Sequence, residues 1–267
     1  MKCRDRAFVF FLALCCFAQL ACAAVVDWSV AKVRAFEQTS DVVAPTVPFL
    51  FDVDGQFNGD GFDTVSLEGL SGGPAPLVNF NANDWEGRRQ FIGEAAFLSE
   101  FPGDGILTIV ATSSAGTVRE DVLVGAEFPG AIPFFTGNAV SRLGGVAPGQ
   151  DFMFTWEAPP ATGGIQQQSL LIIDQTTDLE VWAVDATGLS SAVLPAGTLA
   201  AGGEYLAVLE FFDVVQGLRE GFAEGEEFSG TANATGIFFS SQAVPEPTSL
   251  LLLGLGAFAC AGLRRRA

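Results

Sequence analysis

Short runs of alternating apolar and polar residues, separated by turn residues at intervals of about ten positions, dominate the chain between Ala24 and Ala243. Side chains alternate between the two faces of a strand, so this period of two predicts half-buried strands. The runs that show it include Val65 and Leu67, Ile106–Val110, Phe152, Phe154 and Trp156, Leu179 and Val181, Tyr205, Ala207 and Leu209, and Thr231–Phe239. The pattern predicts an all-β protein, and many short strands are typical of β-sandwiches.

One helix is expected to interrupt the strands. The stretch EAAFLSEFPG places Phe91, Ala95 and Leu98 on one helical face, and the helix should end before Pro102. Glycine and proline then cluster from Gly125 to Pro133, after which the strand pattern restarts. We therefore expect a domain boundary in this cluster.

The body is predicted to contain two β-sandwich domains, residues 25–125 and 126–243. The second resembles an immunoglobulin- or fibronectin-like sandwich, in which one strand delivers a core tryptophan and a later strand carries a core aromatic residue. Trp156 and Tyr205 are the matching residues, and such residues usually belong to the core. The first half leaves two alternatives open, a second sandwich or one larger jelly roll formed with the second half.

The first 24 residues have the three parts of a secretory signal peptide. Lys2, Arg4 and Arg6 form a basic start, Ala7 to Leu20 is apolar apart from one glutamine, and Ala21 to Ala23 offers a small-x-small cleavage pattern. The apolar run is shorter than the 18 or so residues of a membrane-spanning helix. Residues 1–24 therefore predict export through the Sec translocon and cleavage by signal peptidase.

Composition excludes several kinds of chemistry. All five cysteines lie in the two terminal segments and histidine is absent, so the body has no thiol nucleophile, no disulfide, and no histidine base or metal ligand. The segment from Ala24 to Val244 has 29 acidic and seven basic residues, a net charge near −22. Such a surface repels nucleic acid and favours solubility or cation binding.

The last 24 residues combine three elements that suit a membrane anchor. Thr248 to Leu263 carries no charge and would form a helix of roughly 24 Å, against a hydrocarbon core of ~30 Å. The three arginines that follow favour the cytoplasmic side. The two prolines before the helix hold the chain extended, as proteolytic enzymes need.

This tail resembles the PEP-CTERM sorting signal of exported bacterial proteins. The matching residues are the motif Pro245, Glu246 and Pro247 and the basic stop Arg264, Arg265 and Arg266. The resemblance implies that residues 244–267 form a sorting and anchor segment, held transiently in the inner membrane and removed by an exosortase. The resemblance says nothing of the activity of the body, but the two terminal signals together support the hypothesis of a non-catalytic protein of the cell surface or extracellular matrix. Because the family occurs in bacteria that make extracellular polysaccharide, that polymer is an expected partner.

The stretch DVDGQFNGDGFD is a candidate Ca²⁺ loop. Its oxygen donors Asp52, Asp54, Asn58, Asp60 and Asp63 alternate with glycines, and clustered oxygen ligands are what Ca²⁺ requires. The full calcium-loop pattern fails, and Asn-Gly and Asp-Gly are also strong hairpin-turn signals. An alternative function is therefore a Ca²⁺-dependent carbohydrate-binding or adhesive module.

A glycoside hydrolase is a third reading, because paired carboxylates are the catalytic groups that this composition leaves available. Glu210 with Asp213 is one pair among several near neighbours in sequence, alongside Asp52 with Asp54 and Glu224 with Glu226 and Glu227. Spacing alone nominates none of them, since acid and nucleophile normally come from separate strands. A solvated acidic surface accounts for these residues more simply.

Overall fold

The computed structural model describes residues 27–48, 50–59, 61–79, 84–101, 105–114, 116–125, 127–159, 166–217 and 228–243. The predicted signal peptide, sorting motif and anchor lie outside the described residues. Within these ranges the chain is mostly β-strand, as predicted. The strands are β1 Asp27–Glu37, β2 Leu50–Asn58, β3 Thr64–Glu68, β4 Ala75–Asn79, β5 Asp84–Phe91, β6 Ile106–Ser113, β7 Gly116–Leu123, β8 Phe152–Thr155, β9 Gln166–Asp174, β10 Leu179–Asp185, β11 Ser191–Leu194, β12 Glu204–Gly217 and β13 Phe228–Ser240; the helices are α1 Glu94–Leu98 and α2 Ala139–Leu143.

Eleven of these strands form one continuous hydrogen-bonded sheet. Their order is β10-β9-β12-β13-β1-β2-β5-β4-β3-β6-β7, and β11 and β8 pair separately. Neighbours whose registers are described are antiparallel, except that β1 and β13 run parallel from Ser29 opposite Phe228 to Glu37 opposite Gly236. The first and last described strands of the chain are therefore partners in the interior of the sheet, as its fourth and fifth strands.

The first half forms a sandwich because the sheet folds back across its own face. Strand β4 pairs with both β5 and β3, and β3, β6 and β7 follow beyond it. Side chains of β1, β2 and β5 share one core with side chains of β3, β6 and β7. Trp28, Phe51 and Trp85 come from the first layer, and Leu67, Leu107 and Val122 from the second.

The second half packs the β8–β11 pair against β9, β12 and β13. The predicted alternation in β8 is confirmed, since Phe152, Phe154 and Trp156 are buried whereas Met153 is half exposed. Trp156 and Tyr205 both lie in this core, as expected. The Tyr205 hydroxyl accepts a hydrogen bond from the Ala200 N–H at 2.7 Å, the type of contact by which a tyrosine fixes the loop before its strand in immunoglobulin-type sandwiches.

The predicted helix is confirmed as α1, but its predicted face is wrong. Phe97 is fully buried, while Leu98 is 49% exposed and Ala95 is also exposed. The helix has only five residues and follows a glycine with a φ of 103°, so the chain turn sets its orientation rather than a long apolar stripe. Phe97 enters the core because other aromatic rings surround it: the centroids of Phe51, Phe91, Phe101 and Phe128 lie within 5.7 Å of its own.

The cluster predicted to be a boundary, Gly125 to Pro133, crosses the sheet near β13. The carbonyl of Leu123 just before it accepts a hydrogen bond from Ser229, that of Glu127 from Thr231, and that of Pro129 from Asn233. The division into domains 25–125 and 126–243 stays a prediction. Strands β1 and β13 hydrogen-bond across it.

No helix in the described part of the chain is both long and apolar enough to cross a bilayer. The anchor predicted at Thr248 to Leu263 lies outside that part.

Candidate functional site

The chain is firmly held at the point where the predicted sorting motif begins. After β13, the Gln242 N–H donates to the Val146 carbonyl at 2.8 Å, and the Ser241 N–H donates to the Gly203 carbonyl at 3.0 Å. The Ser241 hydroxyl also donates to the Ala200 carbonyl and accepts from the Gly203 N–H. These contacts fix the backbone to within three residues of Pro245.

The anchoring limits how far the body can stand from a bilayer that holds the tail. Five residue steps separate Ala243 from Thr248, and an extended chain spans at most about 3.5 Å per step, or roughly 17 Å. The headgroup region of a bilayer is about 5–7 Å deep on each side. If Thr248 to Leu263 anchors the chain as the sequence predicts, this length would keep the body close to the membrane surface.

The predicted Ca²⁺ ligands do not share one loop. Asp52, Asp54 and Asn58 lie along β2, so about 20 Å of strand separates Asp52 from Asn58. Ca²⁺ ligands lie 2.3–2.6 Å from the ion, so one ion cannot bind both residues. Asp63 lies just before β3 with its N–H donating to the Thr112 carbonyl, whereas Asp60 and the side chain of Asp54 lie outside the described parts.

Asp52 is instead part of a buried ion pair. Its carboxylate is 1% exposed and lies 2.7 Å from the Nε atom of Arg88 on the neighbouring strand β5. The register pairs Asp52 with Gln90, so Arg88 is its diagonal neighbour two residues along β5, and Glu86 follows on the same face. Burial raises the pKa of Glu86, and the positive charge of Arg88 opposes that rise.

At the other end of β2, Asn58 contacts a second acidic residue. Its Nδ2 atom donates to Asp84 Oδ1 at 2.9 Å. Asn58 ends β2 before the turn that leads to Asp63, and Asp84 begins β5 opposite Asn58. The described residues contain no group of three or more acidic side chains arranged to hold a metal ion. This end of β2 therefore has oxygen atoms at the surface, on Asn58 and Asp84.

The carboxylates considered for hydrolysis do not converge where they are described. Glu210 and Asp213 are three residues apart in β12, so their side chains project from opposite faces of the sheet. Glu210 is buried and accepts a hydrogen bond from the Ser169 hydroxyl at 2.7 Å. Glu224, Glu226 and Glu227 lie outside the described residues.

A row of buried polar side chains on β13 escaped sequence analysis. Ser229, Thr231, Asn233 and Thr235 alternate with small residues and are fully or almost fully buried, because the connecting segment lies across them. Asn233 makes three of the hydrogen bonds in this row. Its amide donates to the carbonyls of Pro129 and Ala131, and its oxygen accepts from Arg34 Nε. The available sequence signal was the regular alternation of Ser, Thr and Asn with Gly and Ala.

Two cations complete this crossing. The Arg34 guanidinium lies 4.3 Å from the centroid of the Phe128 ring, and the Lys32 ammonium lies 4.8 Å from that of Phe101. Burial lowers the pKa of Lys32 to about 8. Burial also lowers the pKa of Arg34, against the negative charge of Glu94. These contacts join β1 and β13 to the segments that carry Phe101, Phe128, Pro129 and Ala131.

Structural comparison finds distant β-protein neighbours. The FN1–FN3 domains of chicken CNTN1 are 11% identical, with 80% of this chain and 67% of that chain covered and a TM-score of 0.27. The BSP domain of a biofilm-associated protein is 14% identical, with 84% and 30% covered and a TM-score of 0.21. No curated protein sequence matches the chain.

Comparison with protein families gives one match, and it falls where the anchored strand ends. The matching description is "PEP-CTERM protein-sorting motif", and it covers residues 243–266. These residues include the Pro-Glu-Pro triplet, the uncharged segment and the arginines that the sequence singled out. The chain therefore carries a PEP-CTERM protein-sorting motif at its C-terminal end, which implies an exported protein sorted by an exosortase.

Proposed function

We propose that this protein is a non-catalytic component of the cell surface or extracellular matrix, delivered there after an exosortase removes its tail. The observation that carries the proposal is the PEP-CTERM motif at residues 243–266, next to a body that ends in an anchored strand. In this proposal residues 1–24 direct export, the tail holds the body at the outer face of the inner membrane, and extracellular polysaccharide is a partner.

The direct test is the C-terminal residue of the secreted protein, measured by mass spectrometry. We expect the mature chain to begin near Val25 and to end near Pro245. Replacing Pro245, Glu246 and Pro247 by alanine should leave the tail attached and the protein in the membrane fraction. Ser240→Ala, an exposed position that lies before the matched residues 243–266, is the control. Arg264 to Arg266 intact in secreted wild-type protein would contradict the proposal.

Ca²⁺-dependent carbohydrate binding is a second candidate in a narrower form. The contact between Asn58 and Asp84 brings the Asp84 carboxylate, a further oxygen ligand for Ca²⁺, to the end of β2 where the segment with Asp60 and Asp63 begins. Asp52 is no longer a candidate ligand, because it pairs with Arg88. Calorimetry with Ca²⁺ should then show binding to the wild-type protein. Asp63→Ala should remove this binding, whereas the control Asp121→Ala, on exposed β7, should preserve it. If no heat of binding is measured at millimolar Ca²⁺, Asn58, Asp63 and Asp84 have only a structural role.

A further inference from the structure

Exposed apolar side chains gather at the end of the sheet from which the chain leaves for the sorting motif. We call this end the tail-side edge, and define it as the β1–β2 loop (residues 38–48), Ile92 after β5 and Leu179 at the start of β10. Among the described residues, six large apolar side chains are at least 60% exposed, and all but Val78 belong to this edge. The members are Val42, Val43, Val47, Ile92 and Leu179.

Strand register brings these segments and the exit of the chain to one end of the sheet. Strand β13 runs parallel to β1, so Ser240 at the end of β13 lies at the same end as the loop that follows Glu37. Strand β2 begins where that loop ends, and its Phe51 is opposite Phe91, the residue before Ile92. The β9–β10 turn lies at this end as well, because β9 is antiparallel to β12 and β12 to β13.

The β1–β2 loop is held in place while its valines stay exposed. The Asp41 carboxylate accepts hydrogen bonds of 2.7 and 3.1 Å from two backbone N–H groups at the start of α2. The Ser40 hydroxyl accepts from the N–H groups of Val42 and Val43. Two further loop residues are prolines, which have no N–H. Paired donors favour contact with a surface where water is scarce, because an unpaired N–H is costly there.

We propose that the tail-side edge rests on the lipid bilayer that holds the tail, with its valines and Ile92 among the lipid headgroups. This inference rests on the proposed function, because the anchored tail is what brings the edge to the membrane. At most about 17 Å of extended chain separates Ala243 from Thr248, and the headgroup region takes up about 5–7 Å of that length. The end of β13 therefore lies within roughly 12 Å of the headgroups.

Apolar contact, rather than ionic attraction, holds the edge to the membrane in this proposal. Residues 38–48, 92–94 and 174–180 contain no lysine or arginine. The body carries a net charge near −22, so anionic lipid repels it. The contact should form on zwitterionic phosphatidylcholine and weaken when phosphatidylglycerol is added at low salt. It should recover as added salt screens the repulsion.

The experiment places one fluorescent label at a time on the chain from Val25 to Ala267, inserted into phosphatidylcholine vesicles that carry a nitroxide at shallow depth. The label is attached through Ile92→Cys or Val47→Cys in a Cys260→Ala background, which has no other cysteine. At both positions we expect emission at shorter wavelength than in water, and about two-fold quenching by the nitroxide.

Val78→Cys is the matched control, because this side chain is 62% exposed and apolar but lies away from the edge. It is opposite Glu86, which precedes Ile92 by six residues, or about 20 Å of strand. A label at position 78 should show neither change. Equal quenching at positions 78 and 92 would overturn the proposal, since the edge would then have no preference for lipid.

A charge on the edge provides a second test. Val42→Asp should return the label at position 47 to water, whereas Val78→Asp should leave it among the headgroups. Both substituted side chains are exposed, so we expect neither variant to lose stability. A label at position 47 that Val42→Asp leaves quenched would contradict the proposal.

A label on the native Cys260 separates this inference from the anchor on which it rests. If Cys260 is in lipid and position 92 is in water, the inference fails while the anchor stands. If Cys260 is also in water, both fail. A photocross-linker at position 92 that captures a membrane protein in cells, and not lipid, would assign the edge to a protein partner and overturn the inference. The C-terminal residue of the secreted protein tests processing independently.

Discussion

Arg88 and Asp52 illustrate how burial decides the value of an ion pair. Breaking a buried pair by removing one partner leaves a charge in a poorly solvated place and costs about 3–5 kcal/mol, whereas an exposed pair contributes about 1 kcal/mol or less. Asp52 is 1% exposed, while the pair of Arg119 and Glu68 is 55% and 34% exposed.

We therefore expect Arg88→Ala to lower the free energy of unfolding by about 3 kcal/mol, and the control Arg119→Ala by less than about 1 kcal/mol. Urea titrations followed by tryptophan fluorescence measure both values. Equal losses in the two variants would show that burial does not determine how much the ion pair of Arg88 and Asp52 contributes to stability.

Lys32 should make stability depend on pH in the alkaline range. Its pKa is about 8 in the folded protein against an ordinary value of 10.5, because burial disfavours the charged form. Between these values the unfolded chain binds more protons, so the free energy of unfolding should rise with pH, by up to about 3 kcal/mol. Below pH 8 the cost of burying the charge is fully present.

The measurement is the free energy of unfolding at pH 7.5 and pH 10, for wild type and for Lys32→Met. The substitution keeps much of the side-chain length and removes the titrating group, so we expect it to remove most of the rise. A rise of equal size in both proteins would assign the effect to other groups.

At the scale of elements, α1 provides a test with its control one residue away. Phe97 is fully buried among four aromatic rings, and Leu98 is 49% exposed. Phe97→Ala should cost about 3–5 kcal/mol because it removes a core ring and leaves a cavity. Leu98→Ala should change stability by less than about 0.5 kcal/mol. The measurement is chemical denaturation. Comparable losses in the two variants would support the predicted helix face, in which Leu98 is buried.

Asn233 makes more side-chain hydrogen bonds than Ser229 or Thr231 where the connecting segment crosses β13. Asn233→Ala would remove a donor from the Ala131 carbonyl and one partner each from the Pro129 carbonyl and the Arg34 guanidinium, which still contact each other at 3.3 Å. Each buried group left unsatisfied costs about 1–3 kcal/mol. We expect a loss of at least about 2 kcal/mol, together with faster amide hydrogen exchange across β1 and β13. Asn58→Ala, at an exposed strand end, should have little effect on either measurement.

For the whole molecule, β13 determines how the two halves unfold. It contributes Ile237 and Phe239 to the second core and pairs with β12 there. It also pairs with β1, whose Trp28 and Val30 belong to the first core, so β13 joins the strands of the two halves. We expect the chain from Val25 to Ala243 to unfold in one calorimetric transition whose calorimetric and van't Hoff enthalpies agree. Two separate transitions would instead support the independent domains 25–125 and 126–243.

The sequence alone determined the all-β class, the strands of β3 and β8, the core roles of Trp156 and Tyr205, and the sorting motif at residues 243–266. Each depends on local information: side-chain alternation has a fixed period within a strand, and the motif is contiguous. Nearby residues were enough to identify these features.

Tertiary structure alone decided the parallel pairing of β1 with β13, the placing of Asp52 beside Arg88, and the burial of Phe97 rather than Leu98. Residues about 200 positions apart meet in the first case, and no local period records such a pairing. The same limit explains the candidate Ca²⁺ ligands: clustering along the chain suggested one site, but an extended strand moves each successive residue about 3.3 Å further away.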